Sequence, residues 1–90
     1  MNTRTNTIEE IVDTVTGLVA HELGVPAGGL APDRDLTAVD GADSVKVLRA
    51  VAQIERTYDI ELEDEQVFGF TTIRDVAAAV SGLLAEQAAS

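Results

Sequence analysis

The run Gly41-Ala42-Asp43-Ser44-Val45 sets a hydroxyl in the first turn of an amphipathic helix, with no base near it in sequence. Without a base, Ser44 is a weak nucleophile. It is well placed to hold a phosphoryl group that another enzyme attaches. A phosphate at a helix start meets unpaired backbone N–H groups and the positive end of the helix dipole. Aspartate and serine are also ordinary helix caps, so the pair alone does not decide between the two roles. Other polar clusters offer less. Asp33-Arg34-Asp35 opens like a calcium loop, but Ala38 stands where that loop needs glycine and Ser44 where it needs a bidentate acid. Asp59-Ile60-Glu61-Leu62-Glu63 fails in the same way, with Asp64 and Phe70 at those places. His21 is the sole histidine and is expected on the solvated side of the first helix, so no histidine metal cluster can form. Gly28-Gly29 lacks the lysine and spacing of a phosphate loop. No nucleophile, base and oxyanion donor can be assembled from what remains, which argues against an autonomous enzyme.

The elements that must position Ser44 follow from periodicity. Ile8, Ile11, Val12, Val15, Leu18 and Val19 recur at helical spacing, Thr7 and Glu10 match a capping box, and Gly24 and Pro26 stop the helix. A long connection from Val25 to Asp43 follows, with Leu30, Leu36 and Val39 as apolar anchors. The second helix is expected over 44–58, with Val47, Leu48, Val51, Ile54 and Tyr58 inward and Lys46, Arg49, Gln53 and Arg56 outward. Val45 projects toward the flank, and Ala50 and Ala52 leave room beside the second helix. Glu63 to Phe68 reads as a short third helix ended by Gly69. A fourth helix follows Thr71-Thr72, with Asp75 completing its cap and Ile73, Val76, Ala77, Val80, Leu83 and Leu84 inward. The expected fold is all-α, a small four-helix bundle of three longer helices and one short one. It forms a single domain over 1–90 with a core of about 8–85, and 1–6 and 86–90 are expected to fray.

Ninety residues without cysteine can rely only on aliphatic burial for stability. The polar start has no apolar signal core, and no run is long enough to cross a bilayer, so a soluble cytoplasmic monomer is expected. The formal charge of −10 disfavours nucleic acid and favours partners with basic patches, although acidity for solubility alone is common.

Leu36, Gly41-Ala42-Asp43-Ser44-Val45, Ile54-Glu55, Tyr58-Asp59, Glu61-Leu62, Asp64-Glu65 and Phe70-Thr71-Thr72-Ile73 together resemble the acyl carrier protein family, in register and over about 8–85. The resemblance implies that Ser44 is esterified by 4′-phosphopantetheine, transferred from coenzyme A by a separate Mg²⁺-dependent phosphopantetheinyl transferase. It also implies that Asp43 helps that transferase bind metal and orient the hydroxyl. The arm's thiol would then carry acyl groups as thioesters between enzymes. Three positions depart from the family: Asp40 replaces an apolar residue before the glycine, Glu63 stands where proline is common, and the second helix shows cations where carriers of primary fatty acid synthesis show carboxylates.

Those cations, Lys46, Arg49 and Arg56, either select partners with neutral or acidic surfaces or are merely solvated. The first case makes this a carrier of a specialised polyketide or hybrid peptide pathway. Val45 is a docking contact by the same resemblance, or is half buried under the loop. Phe70 is expected in the core, and Phe68 at the acyl chain or a partner. Acyltransferases and ketosynthases would load an acyl carrier, and adenylating enzymes an aminoacyl or peptidyl carrier. A third alternative is an unmodified scaffold of the same fold. No nucleic acid or membrane partner is expected.

Overall fold

The computed structural model describes residues 7–39 and 43–89; the side chains of Thr37, Ser44, Ala88 and Ala89 are outside that description. The first helix, α1 (Ile8–Leu23), opens with the expected capping box. The Thr7 hydroxyl oxygen accepts from the Glu10 N–H and the Glu10 carboxylate from the Thr7 N–H, each at 3.2 Å. It closes on Gly24, whose φ of 71° is a left-handed conformation that glycine adopts without a Cβ penalty. α2 spans Ser44–Tyr58, α3 Asp64–Gly69 and α4 Ile73–Ala89. No strand occurs among the described residues. The all-α four-helix reading therefore holds, with α1 packed against both α2 and α4.

The interior is aliphatic. Ile11, Val15, Ile54, Ile73 and Val80 are almost wholly enclosed, and no polar side chain is buried among the described residues. Ala20 and Leu23 extend the core face of α1 beyond the expected set, whereas Ile8 is 41% exposed and lies outside it. Ile8 is the first residue of α1. On α2 the core positions are Ala50, Val51 and Ile54; Val47 and Tyr58 are half-buried. Leu48, expected inside, is 51% exposed. At 100° per residue it sits about 120° from Ile54, at the margin of the buried arc. α4 is helical through Ala89, and its alanine-rich end favours that conformation.

The long connection contains two short 3₁₀ turns, Ala27–Gly29 and Leu36–Ala38. Leu30, Leu36 and Val39 are buried, as their apolar character predicts. The connection is also pinned to the start of α4. The Leu36 N–H donates to Thr71 O at 2.8 Å, the Arg74 N–H to Pro32 O at 3.0 Å, and the Arg74 guanidinium to Asp33 at 2.7 Å. The expectations for 1–6 and for Asp40, Gly41 and Ala42 lie outside the described residues.

Candidate functional site

Asp43 sets the start of α2. Its extended backbone (φ −146°, ψ 171°) turns the chain into the helix, and its Oδ1 accepts the Lys46 N–H at 2.9 Å. Its carbonyl accepts the Val47 N–H at 3.0 Å. Asp43 is thus the cap and Ser44 the first helical residue. The N–H groups of Ser44 and Val45 have no carbonyl one turn back within the helix, the condition that makes a helix start attractive to anions. The Ser44 side chain itself lies outside the described set.

Beside this start lies an apolar cavity of about 410 Å³. Asp43 and Lys46 form its polar edge, Leu48 and Phe68 belong to its rim, and Ala50, Val51 and Ile54 wall it from α2. Ala50 leaves the room anticipated for it. Ala52 is exposed and lines nothing of the cavity. Phe70, expected in the core, is half-buried against it and lines the same space.

The remaining candidates divide clearly. Val45 is 57% exposed, so it is not tucked under the loop, and Phe68 is 80% exposed. Lys46 is half-buried, while Arg49 and Arg56 are exposed. The cavity gathers Asp43, Lys46 and Phe68. Arg56 stands about 15 Å further along the axis from Lys46, at 1.5 Å per residue. Sequence reasoning missed Leu48 as a surface residue. Its neighbourhood to Val45, three positions earlier, was the available signal.

Glu55, the one carboxylate on α2, is turned into the bend that follows: its Oε2 accepts the Leu62 N–H at 2.7 Å. Asp75 accepts from the Thr71 and Thr72 N–H groups at 3.0 and 3.1 Å, and these bonds hold its carboxyl below the usual pKa. The Asp33 carboxylate beside it raises the Arg74 guanidinium further above its usual pKa. His21 is exposed. Among the described residues no group of three His, Cys, Asp or Glu side chains could hold a metal ion, and no helix is long and apolar enough to cross a membrane.

Residues 6–80 match the family model described as "Phosphopantetheine attachment site". The chain is 34% identical over 67 residues to an acyl carrier protein of Prochlorococcus marinus (strain MIT 9515), covering 74% of this chain and 84% of that protein. In structure it is similar to the HMG-ACPI domain from the CurA module of Lyngbya majuscula, with a TM-score of 0.82 at 18% identity, covering 98% of this chain and 90% of that one. It is also similar to the acyl carrier protein of Enterococcus faecalis, with a TM-score of 0.70 at 19% identity, covering 86% and 98%. At those identities the two structures speak for the fold.

Proposed function

The chain belongs to the acyl carrier protein family, non-catalytic carriers that bear covalently attached 4′-phosphopantetheine, and on that premise we propose that Ser44 is the residue that bears the arm. The observation that supports this is the place of Ser44 as the first residue of α2, directly after its Asp43 cap. When bound, the arm supplies the thiol that carries acyl groups as thioesters; the chain has no cysteine of its own.

The residues present fit the group. The backbone N–H groups of Ser44 and Val45 and the helix dipole favour a phosphodiester there. Lys46 adds a positive charge at the edge of the cavity. Asp43 supplies the phosphopantetheinyl transferase with a carboxylate for its Mg²⁺, one residue from the acceptor hydroxyl. The apolar cavity suits an alkyl portion of the cargo. It offers no buried polar side chain to a carbonyl, which would be costly to enclose unpaired.

The loading partners in this reading are an acyltransferase and a ketosynthase of a specialised pathway, polyketide or hybrid. Its support is the face of α2, where Lys46, Arg49 and Arg56 replace the carboxylates expected of a carrier in primary fatty acid synthesis. Intact-mass measurement after incubation with coenzyme A and a broad-specificity transferase tests the central point. One pantetheinyl increment is expected for the unaltered chain and none for Ser44→Ala. An increment that survives Ser44→Ala, or none in either, overturns the assignment.

A further inference from the structure

We propose that residues 32–36 form a strap that senses whether the cavity is filled: an alkyl occupant holds the strap closed on the start of α4, and an empty cavity lets it part. The proposal deepens the carrier reading, on which it rests for naming the occupant as acyl cargo and for placing the arm. Three contacts hold the strap. The Leu36 N–H donates to Thr71 O at 2.8 Å, the Arg74 N–H to Pro32 O at 3.0 Å, and the Arg74 guanidinium to the Asp33 carboxylate at 2.7 Å. All three end on residues 71–74, a turn that Asp75 fixes by accepting the Thr71 and Thr72 N–H groups. The Arg74 N–H belongs to the first turn of α4, where no carbonyl of the helix itself can reach it. The strap supplies that carbonyl.

Leu36 ties this seam to the cavity. Its N–H closes the seam, and its buried side chain lines the cavity with Phe70 and Val76. Leu30 and Val39 are buried on either side, so Leu36 and its neighbours can part from α4 while both flanks of the strap stay anchored. The polar hold on the strap is light: its ion pair is exposed on both partners, at 57% and 75%, where such pairs contribute little. An unfilled cavity leaves the Leu36 side chain without neighbouring atoms on one side. An alkyl occupant supplies them, and only while the strap is closed. A ligand shifts an equilibrium by its differential affinity for the two states, so an occupant that touches Leu36 favours the closed one. The strap is part of the connection that ends at Asp43, the cap of α2. A partner that approaches Ser44 therefore meets a tighter connection on a loaded carrier than on an empty one.

Hydrogen exchange of the unmodified full chain, followed amide by amide by NMR with and without decanol, provides the test. In the unaltered chain the Leu36 and Arg74 amides should exchange roughly ten-fold or more faster than the Ile54 amide, with little dependence on urea, as local opening requires. Decanol at about ten times its dissociation constant should slow the Leu36, Arg74 and Ile54 amides alike by about ten-fold, the limit for a probe that binds the closed, folded chain alone. Leu36→Ala should abolish that slowing at the Arg74 amide and keep it at Ile54. Arg74→Ala and Asp33→Ala, both at exposed positions, should each speed the Leu36 amide by about two- to five-fold, as one exposed ion pair warrants, and together no more than either alone. The proposal is overturned if the Leu36 amide exchanges only with Ile54, since the strap then does not open by itself. It is overturned equally if decanol slows Ile54 but leaves Leu36 and Arg74 unchanged, or if no amide responds to decanol. Because the chain is unmodified throughout, failure of Ser44 to accept an arm does not decide this result.

Discussion

Ile11 and Ile54 offer a paired test of the cavity beneath α2. Both are enclosed, at 0% and 1% exposure, but Ile54 lines the cavity and Ile11 does not. Truncation to alanine removes about three methyl or methylene groups from each, about 2.4 kcal/mol of transfer free energy at roughly 0.8 kcal/mol per group. At Ile11 the loss leaves a sealed void. A void of about 50 Å³ at roughly 24 cal/mol per Å³ adds about 1.2 kcal/mol, for about 3.6 kcal/mol in all. At Ile54 the lost volume joins space that is already empty, so the additional term is small and the cost stays near 2.4 kcal/mol. A domain of this size has roughly 5–13 kcal/mol to lose, so both variants should fold. Urea unfolding with a shared m-value reads the difference as a shift in midpoint. A cost for Ile54→Ala equal to or above that for Ile11→Ala would refute the reasoning, because it would mean that Ile54 faces packed atoms.

Thr7→Ala removes one half of the α1 capping box and should cost about 1 kcal/mol, read from the same urea midpoints. Glu55→Ala deprives the Leu62 N–H of its acceptor, costing about 1–3 kcal/mol and accelerating hydrogen exchange at the Leu62 amide. Asp75 has a depressed folded-state pKa, so its stabilising effect is full above the unfolded carboxylate pKa and is lost as pH falls through the folded value. The stability gap between the unaltered chain and Asp75→Ala should therefore narrow as pH drops from about 7 to about 3; a gap that widens on acidification would reverse that sign. Charge reversal in K46E/R49E/R56E should raise malonyl loading of the pantetheinylated chain by a housekeeping fatty acid transacylase, measured as a rate. An unchanged rate would count against the specialised-pathway reading.

The helices were legible because their signals are local. α2 begins and ends where the spacing from Ser44 to Tyr58 predicts, and the Thr7–Glu10 and Thr72–Asp75 caps need only neighbours three positions apart. Leu30, Leu36 and Val39 could be picked out as anchors because they are isolated apolar residues in a polar loop. The two 3₁₀ turns were not, since three residues carry no periodicity. The exposure of Leu48 depends on how wide an arc of α2 its neighbours cover, which is a property of the assembled bundle. Ala50 and Ala20 were absent from the expected core because a small side chain adds little to an apolar pattern, yet close helix approach buries them. The cavity lay beyond the sequence for the same reason: it is what the packing of α1, α2, α3 and α4 leaves unfilled. The stripe of cations on α2 was readable from sequence, whereas its juxtaposition with exposed Leu48 and Phe68 required the fold.

The account turns on a single oxygen among three serines, Ser44, Ser81 and Ser90. Fragmentation mass spectrometry of the unaltered chain, after transfer from coenzyme A, locates the adduct directly. It should fall on the peptide bond interval that contains Ser44 alone. An adduct mapped to Ser81, Ser90 or any threonine would contradict it.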